Sequence, residues 1–211
     1  TEQALARLCQ VHLKAKNYDS AIPVLQRLET EAEFPQNTTY AQSNLMKSYY
    51  EKEDFANAVV YADKVLKNDK IEDRIKSDAQ IIVARSAIKT NDEAKAKEAY
   101  DKLNKIAKGE LKAEALYYDA YFKNKEGKFD ASNKVVEKIA VDYSGYKYFG
   151  SKALIIMAKN YFSLEDSFQA TEILQSVIDN FTEFEDVTVE AQKELDFIKA
   201  EEAKRNSSIT N

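Results

Sequence analysis

Two series of small residues run through this chain in step. The first is Ala4, Ala41, Ala79, Ala115, Ala153 and Ala191, with successive separations of 37, 38, 36, 38 and 38 residues. The second is Ala21, Ala58, Ala96, Ser132 and Ala170, each 17 residues after its partner in the first. A constant distance inside the unit and a variable distance between units marks a two-helix repeat with a fixed tight turn and an adjustable outer connection. A small side chain at one place on each helix lets two backbones approach closely, so the series marks the helix crossings. Stacked hairpins make a continuous groove, and a groove argues for binding in preference to catalysis.

Composition agrees. Only four glycines and two prolines occur in 211 residues, too few for a turn-rich β fold, so the chain is expected to be all-α. Lys and Arg number 31 against 36 Asp and Glu, a net charge of -5, which lacks the basic field of a general nucleic-acid binder. No uncharged apolar run approaches the roughly 18 residues needed to span a bilayer. The single cysteine, Cys9, excludes an internal disulfide framework and says little about compartment. Thr1 follows no initiator methionine, so the chain reads as a segment or a processed product.

Each unit opens with an amphipathic stretch: Leu45, Met46 and Tyr49 follow Ala41, and Met157, Ala158 and Tyr161 follow Ala153. An aromatic opens the second helix in four repeats, at Tyr18, Phe55, Phe129 and, one place later, Phe168, whereas the third repeat has Glu93 there. The second helices continue with apolar pairs three apart, such as Leu25 with Leu28 and Val136 with Ile139. Between the two helices stand Lys16-Asn17, Glu53-Asp54, Asn91-Asp92, Gly127-Lys128 and Glu165-Asp166, residues suited to ending one helix and capping the next. The pattern predicts eleven helices of about 15 residues, each about 22 Å long. Repeats are expected over about 1–36, 37–70, 71–108, 109–145 and 146–182, a closing helix over 185–205, and a frayed polar tail over 206–211.

The run Ala158-Lys-Asn-Tyr161-Phe-Ser-Leu-Glu-Asp-Ser-Phe168-Gln-Ala170 resembles a tetratricopeptide repeat, as do Met46 through Tyr49 to Phe55 and Ala58, and Gly127-Lys-Phe129. The small–aromatic–turn–aromatic–alanine order covers nearly the whole chain in five copies plus a cap. The resemblance implies a right-handed α-solenoid of five helix hairpins plus a C-terminal capping helix. It also implies that the first helices line a concave groove holding a protein or peptide segment, with no catalysis and no cofactor. The units exceed the common length of about 34 residues. That length, with Gly150-Ser-Lys-Ala153 ahead of the Tyr161 helix, resembles repeats of bacterial cell-envelope proteins and implies an envelope or periplasmic home. The chaperone-binding members carry a two-carboxylate clamp. Here only Asn44 falls on a matching place, and Ala6, Gln10 and Asp78 depart from it, so chaperone C-termini are not expected partners.

Few residues offer chemistry. Cys9 and His12 lie one helical turn apart, but repeat alignment gives them the packing slots of Met46 and Tyr49, and one Cys with one His makes no zinc site. Glu183, Glu185, Asp186 and Glu190 lack the loop spacing of a calcium site and suit a helix entry.

The residues two, six and nine places after each leading alanine form a second stripe of alternating cations and large apolar groups. From it Lys47, Tyr50, Arg85, Tyr117, Tyr121, Lys159 and Phe162 are expected to line a partner-binding groove. The three cations suit an acidic or C-terminal carboxylate segment. Asp119 and Lys123 occupy places that are apolar elsewhere; if the fourth first helix is rotated, Tyr117 and Tyr121 belong to the core instead. The rival function is a structural or assembly module that oligomerises or spaces domains.

Overall fold

A computed structural model describes residues 1–209. Eleven helices and no strand are found among the described residues: α1 (Glu2–Lys14), α2 (Tyr18–Glu31), α3 (Pro35–Glu51), α4 (Phe55–Leu66), α5 (Asp73–Lys89), α6 (Glu93–Ile106), α7 (Gly109–Lys125), α8 (Phe129–Asp142), α9 (Lys147–Ser163), α10 (Ser167–Asn180) and α11 (Glu185–Ile209). The expected uniform length divides into two classes. The first helices α3, α5, α7 and α9 each have 17 residues, and the second helices have 12 to 14. The chain forms two compact units, Thr1–Ile106 and the residues from Ala107 onward.

Inside every hairpin the turn has the same three residues' worth of conformation. Its middle residue has a left-handed backbone: Lys16 (φ 54), Glu53 (φ 59), Asn91 (φ 57), Gly127 (φ 73) and Glu165 (φ 65). The N–H of the residue after it donates back across the helix end, Asn17 to His12 O, Asp54 to Tyr49 O, Asp92 to Ala87 O, Lys128 to Lys123 O and Asp166 to Tyr161 O, each at 2.9 Å. With the companion bond from the left-handed residue, this is the Schellman closure of a helix. The same third residue then caps the following helix. Asn17 accepts from Ser20 N, Asp54 from Asn57 N, Asp92 from Lys95 N and Asp166 from Gln169 N, at 3.0 to 3.2 Å. Lys128 has no such oxygen, and α8 starts without a side-chain cap.

The two small-residue series sit where the crossings require them. Ala21, Ala58, Ala96, Ser132 and Ala170 are wholly buried, as are Ala41, Ala79, Ala115, Ala153 and Ala191. Ala4 alone of the leading alanines is exposed. In the first unit the largest fully buried side chains include Leu25, Leu28, Leu45, Met46, Tyr100 and Leu103. In the second, one cluster joins Leu116, Tyr117, Ala120, Val136, Ile139 and Ile156, and another joins Ile155, Ala170, Leu174, Val177, Val187, Ala191, Leu195 and Ile198. Phe168, displaced by one position from the other aromatic openers, rotates by about 100° around its helix and is 72% exposed.

α11 runs through Ile209, past Asn206, where the sequence suggests a frayed tail. No Gly or Pro interrupts residues 200–209, so the helix propagates from the docked turns around Leu195 and Ile198. Residues 210 and 211, the rest of that expected tail, lie outside the described residues.

Candidate functional site

In the first unit, α3 and α5 lie side by side and leave a cleft of about 590 Å³ between them. Its apolar lining comes from Pro35, Tyr40, Ile71 and Ile75, and its polar lining includes Asn44, Lys47, Arg74 and Asp78. The Asn44 amide donates to Tyr40 O at 2.8 Å, a helical i−4 bond that orients it. Desolvation raises the Tyr40 phenol above its ordinary pKa, with the neighbouring Cys9 adding to the shift, so the ring stays neutral at the wall. Three cations (Lys47, Lys70, Arg74) stand at the cleft against two carboxylates (Glu72, Asp78). The cleft can therefore accept an extended chain with apolar side groups and an acidic one.

Of the residues expected to line a groove, Lys47 lines this cleft and pairs with Asp78 at 2.6 Å. Tyr50 and Arg85, both half-buried, do not line it. Tyr50 stacks edge-on with Phe55 at 5.7 Å beside a second, smaller hollow that Lys89 also lines.

The second unit places its members differently. Tyr117 is a core residue, 8% exposed, within 6.1 Å of the Phe149 ring and 4.9 Å of Tyr118, and burial drives its phenol pKa up. Tyr121 is half-buried against the same cluster and meets Tyr118 and Phe122 edge-on. The choice left open by the sequence thus closes on the core for Tyr117. The equivalent stripe positions Ile81 and Ile155 are buried too. Asp119 and Lys123 pair with each other along α7.

Lys159 and Phe162 both turn toward α11. Lys159 lies 3.5 Å from Glu190 and 3.5 Å from Glu194, and Phe162 meets Phe197 edge-on at 6.0 Å with Arg205 over its ring. The acidic entry to α11 is engaged by the same helix: Lys147 lies 3.7 Å from Glu183, and the Tyr148 hydroxyl donates to Asp186 at 2.8 Å. Burial and Asp186 push the Tyr148 phenol up to about 12.

Sequence reasoning missed a buried polar network in the second unit. The Asn160 amide donates to Ser132 Oγ at 2.9 Å and to Asn133 Oδ1 at 2.7 Å, while its own Oδ1 accepts from Asn124 at 2.7 Å. Ser132 passes the chain on to Ala120 O at 2.8 Å. The signal was present: Ser132 is the only member of the second series that is not alanine. Cys9 is wholly buried and burial raises its thiol pKa, as a packing residue requires. Among the described residues no group of three His, Cys, Asp or Glu is placed to hold a metal, and no helix is long and apolar enough to cross a membrane.

A scan against protein-family models matches none, and neither does a comparison with curated proteins. Solved structures do match. A tetratricopeptide repeat protein from Parabacteroides merdae aligns over 99% of this chain and 77% of its own, with TM-score 0.73 and 15% identity. The fold is that of the tetratricopeptide repeat. MamA aligns over 84% of this chain and 90% of its own (TM-score 0.65, 14% identity). YrrB, described as a tetratricopeptide repeat protein with an unusual peptide-binding site, aligns over 88% of each (TM-score 0.63, 16% identity). What passes between tetratricopeptide repeat chains at such identities is the path of the helices, carried here by the small residues and the hairpin turns.

Proposed function

We propose that this chain is a protein-interaction scaffold that holds an extended, acidic peptide segment in the cleft between α3 and α5. The observation that carries the reading is the cleft itself, walled by Tyr40, Ile71 and Ile75 and edged by one more cation than carboxylate. Tyr40 and Ile75 stand on helices held by their neighbours, and Ile71, in the short connection ahead of α5, is itself buried, so the receptor loses little conformational freedom when a flexible segment docks. The peptide-binding site ascribed to YrrB, a chain of the same fold, supports this class of function. Lys47 has a partner already, so an incoming carboxylate competes with Asp78 for it while Arg74 and Lys70 add attraction at the rim.

The test is an array of free peptides varied in charge and C-terminal carboxylate, read by fluorescence polarisation. Acidic peptides with spaced apolar residues are expected to bind, and Lys47→Glu with Arg74→Glu to weaken them at least tenfold while the helical circular dichroism stays unchanged. Binding that survives this double substitution, and Ile75→Lys as well, refutes the cleft as the site.

A further inference from the structure

α11 shows which face of a first helix receives the second helix before it. Nothing follows α11 among the described residues, and its buried residues Val187, Ala191, Leu195 and Ile198 form one cluster with Ala170, Leu174 and Val177 of α10 and with Ile155 and Ala158 of α9. Counting back by the repeat, Ala191, Leu195 and Ile198 correspond to Ala41, Leu45 and Ser48 of α3, to Ala79, Val83 and Ser86 of α5, and to Ala4, Leu8 and Val11 of α1. In α3 and α5 these residues are buried, none above 6% exposed, with α2 and α4 packed against the two helices. In α1 the same face is open: Leu8 is 44% exposed, Val11 64%, and Ala4 is exposed as well.

The opposite face of α1 is satisfied, since Leu5 and Cys9 are buried and α2 packs on the helix. The two terminal helices therefore differ in kind. α11 puts Gln192, Asp196 and Lys199, all exposed, at the places of Leu5, Cys9 and His12, which closes a stack with a polar surface. α1 offers three apolar side chains in the register that elsewhere receives a second helix. Single exposed apolar residues are ordinary, but three on one face in an established docking register are not scattered.

We infer that the Ala4–Leu8–Val11 face of α1 takes a further second-type helix, supplied by a hairpin joined ahead of Thr1. Its chemistry follows from the five helices of that type. A small residue is followed four and seven places later by larger apolar or small ones, as in Ala21-Leu25-Leu28, Ala58-Ala62-Val65 and Ala170-Leu174-Val177. The interface continues the one between α2 and α3, where three residues connect the helices. A head-to-tail second copy does not fit, because it would lay Gln192, Asp196 and Lys199 on an apolar surface.

The experiment places a copy of residues 17–37 directly ahead of Thr1, so that Ala4 follows the added helix as Ala41 follows α2. Amide hydrogen exchange across α1 is expected to slow at least tenfold, approaching that of α3, with the chain still monomeric by light scattering. Leu8→Lys with Val11→Lys in the extended chain is expected to restore fast exchange. Unchanged exchange in the extended chain overturns the inference. So does a parent chain that dimerises through Leu8 and Val11, which makes a second copy the occupant. The coding sequence upstream of Thr1 is the direct check: an in-frame second-type helix supports the inference, and its absence overturns it. None of these readouts involves the cleft between α3 and α5, so the two readings fail separately.

Discussion

Substituting Lys128 by asparagine is expected to stabilise the second unit. Four of the five hairpin turns end in a residue whose side-chain oxygen accepts from the N–H three places on, at 3.0 to 3.2 Å. The fourth turn has the same backbone, with Gly127 at φ 73 and the Lys128 N–H bonded to Lys123 O at 2.9 Å, but no cap. An asparagine there would meet the Ala131 N–H without moving the chain. A cap of this kind contributes about 1 kcal/mol. Against it stands the loss of the Lys128–Glu126 contact at 2.7 Å, an exposed pair of the sort worth ~0–1 kcal/mol. The net gain is about 0–1 kcal/mol. Urea unfolding followed by circular dichroism, with exchange at the start of α8 to localise the effect, reads it directly. Asp54→Ala is the mirror control, expected to lose about 1 kcal/mol by removing the equivalent cap. Lower stability of Lys128→Asn, or unchanged exchange at the start of α8, alongside a clear loss in Asp54→Ala, refutes the claim that the five turns are one structure.

Further outcomes follow from other parts of the molecule. Glu53→Gly and Glu165→Gly remove side chains from left-handed backbone at φ 59 and φ 65, and each is expected to raise stability by about 0.5–1 kcal/mol in the same assay. Asn160→Leu strips partners from Asn124, Ser132 and Asn133 at once and is expected to cost about 3 kcal/mol or more, whereas Asn124→Ala, at the half-buried end, costs less. The Tyr148 phenol ionises late in the folded chain, its pKa raised to about 12 by burial and Asp186. The stability it supplies is whole below the ordinary tyrosine pKa near 10 and is lost as pH rises from there through 12. Tyr148→Phe should flatten that stretch of the stability profile, and an unaltered profile rejects the assignment.

Much of the architecture was legible because close helix crossings demand small residues and a left-handed turn followed by a cap demands a narrow set of side chains. Both demands act within one hairpin, at fixed spacing, so they leave periodic marks. The candidate site was less legible. Helical periodicity tells which residues share a face, but not which neighbour covers that face. Ile81, Tyr117 and Ile155 fell on the stripe assigned to a groove, yet all three are buried. Lys47 and Lys159 read as cations awaiting an acidic partner. Their carboxylates, Asp78 and Glu190, lie 31 residues further on in each case, on the next first helix. That shared offset was the available clue, because a contact between equivalent positions of successive repeats must recur at one sequence distance.

The Asn160 network bears on how a chain of look-alike modules reaches one order. Alanine and leucine faces are nearly interchangeable, so an incoming hairpin gains similar burial energy at several wrong stations along the stack. At the α7–α8–α9 junction a misplaced neighbour would strand Asn160, Ser132 and Asn133 away from water without partners, at a penalty of several kcal/mol. One hydrogen-bonded knot in an apolar seam thus makes the docking of α9 on α7 and α8 depend on polar groups meeting as well as on burial.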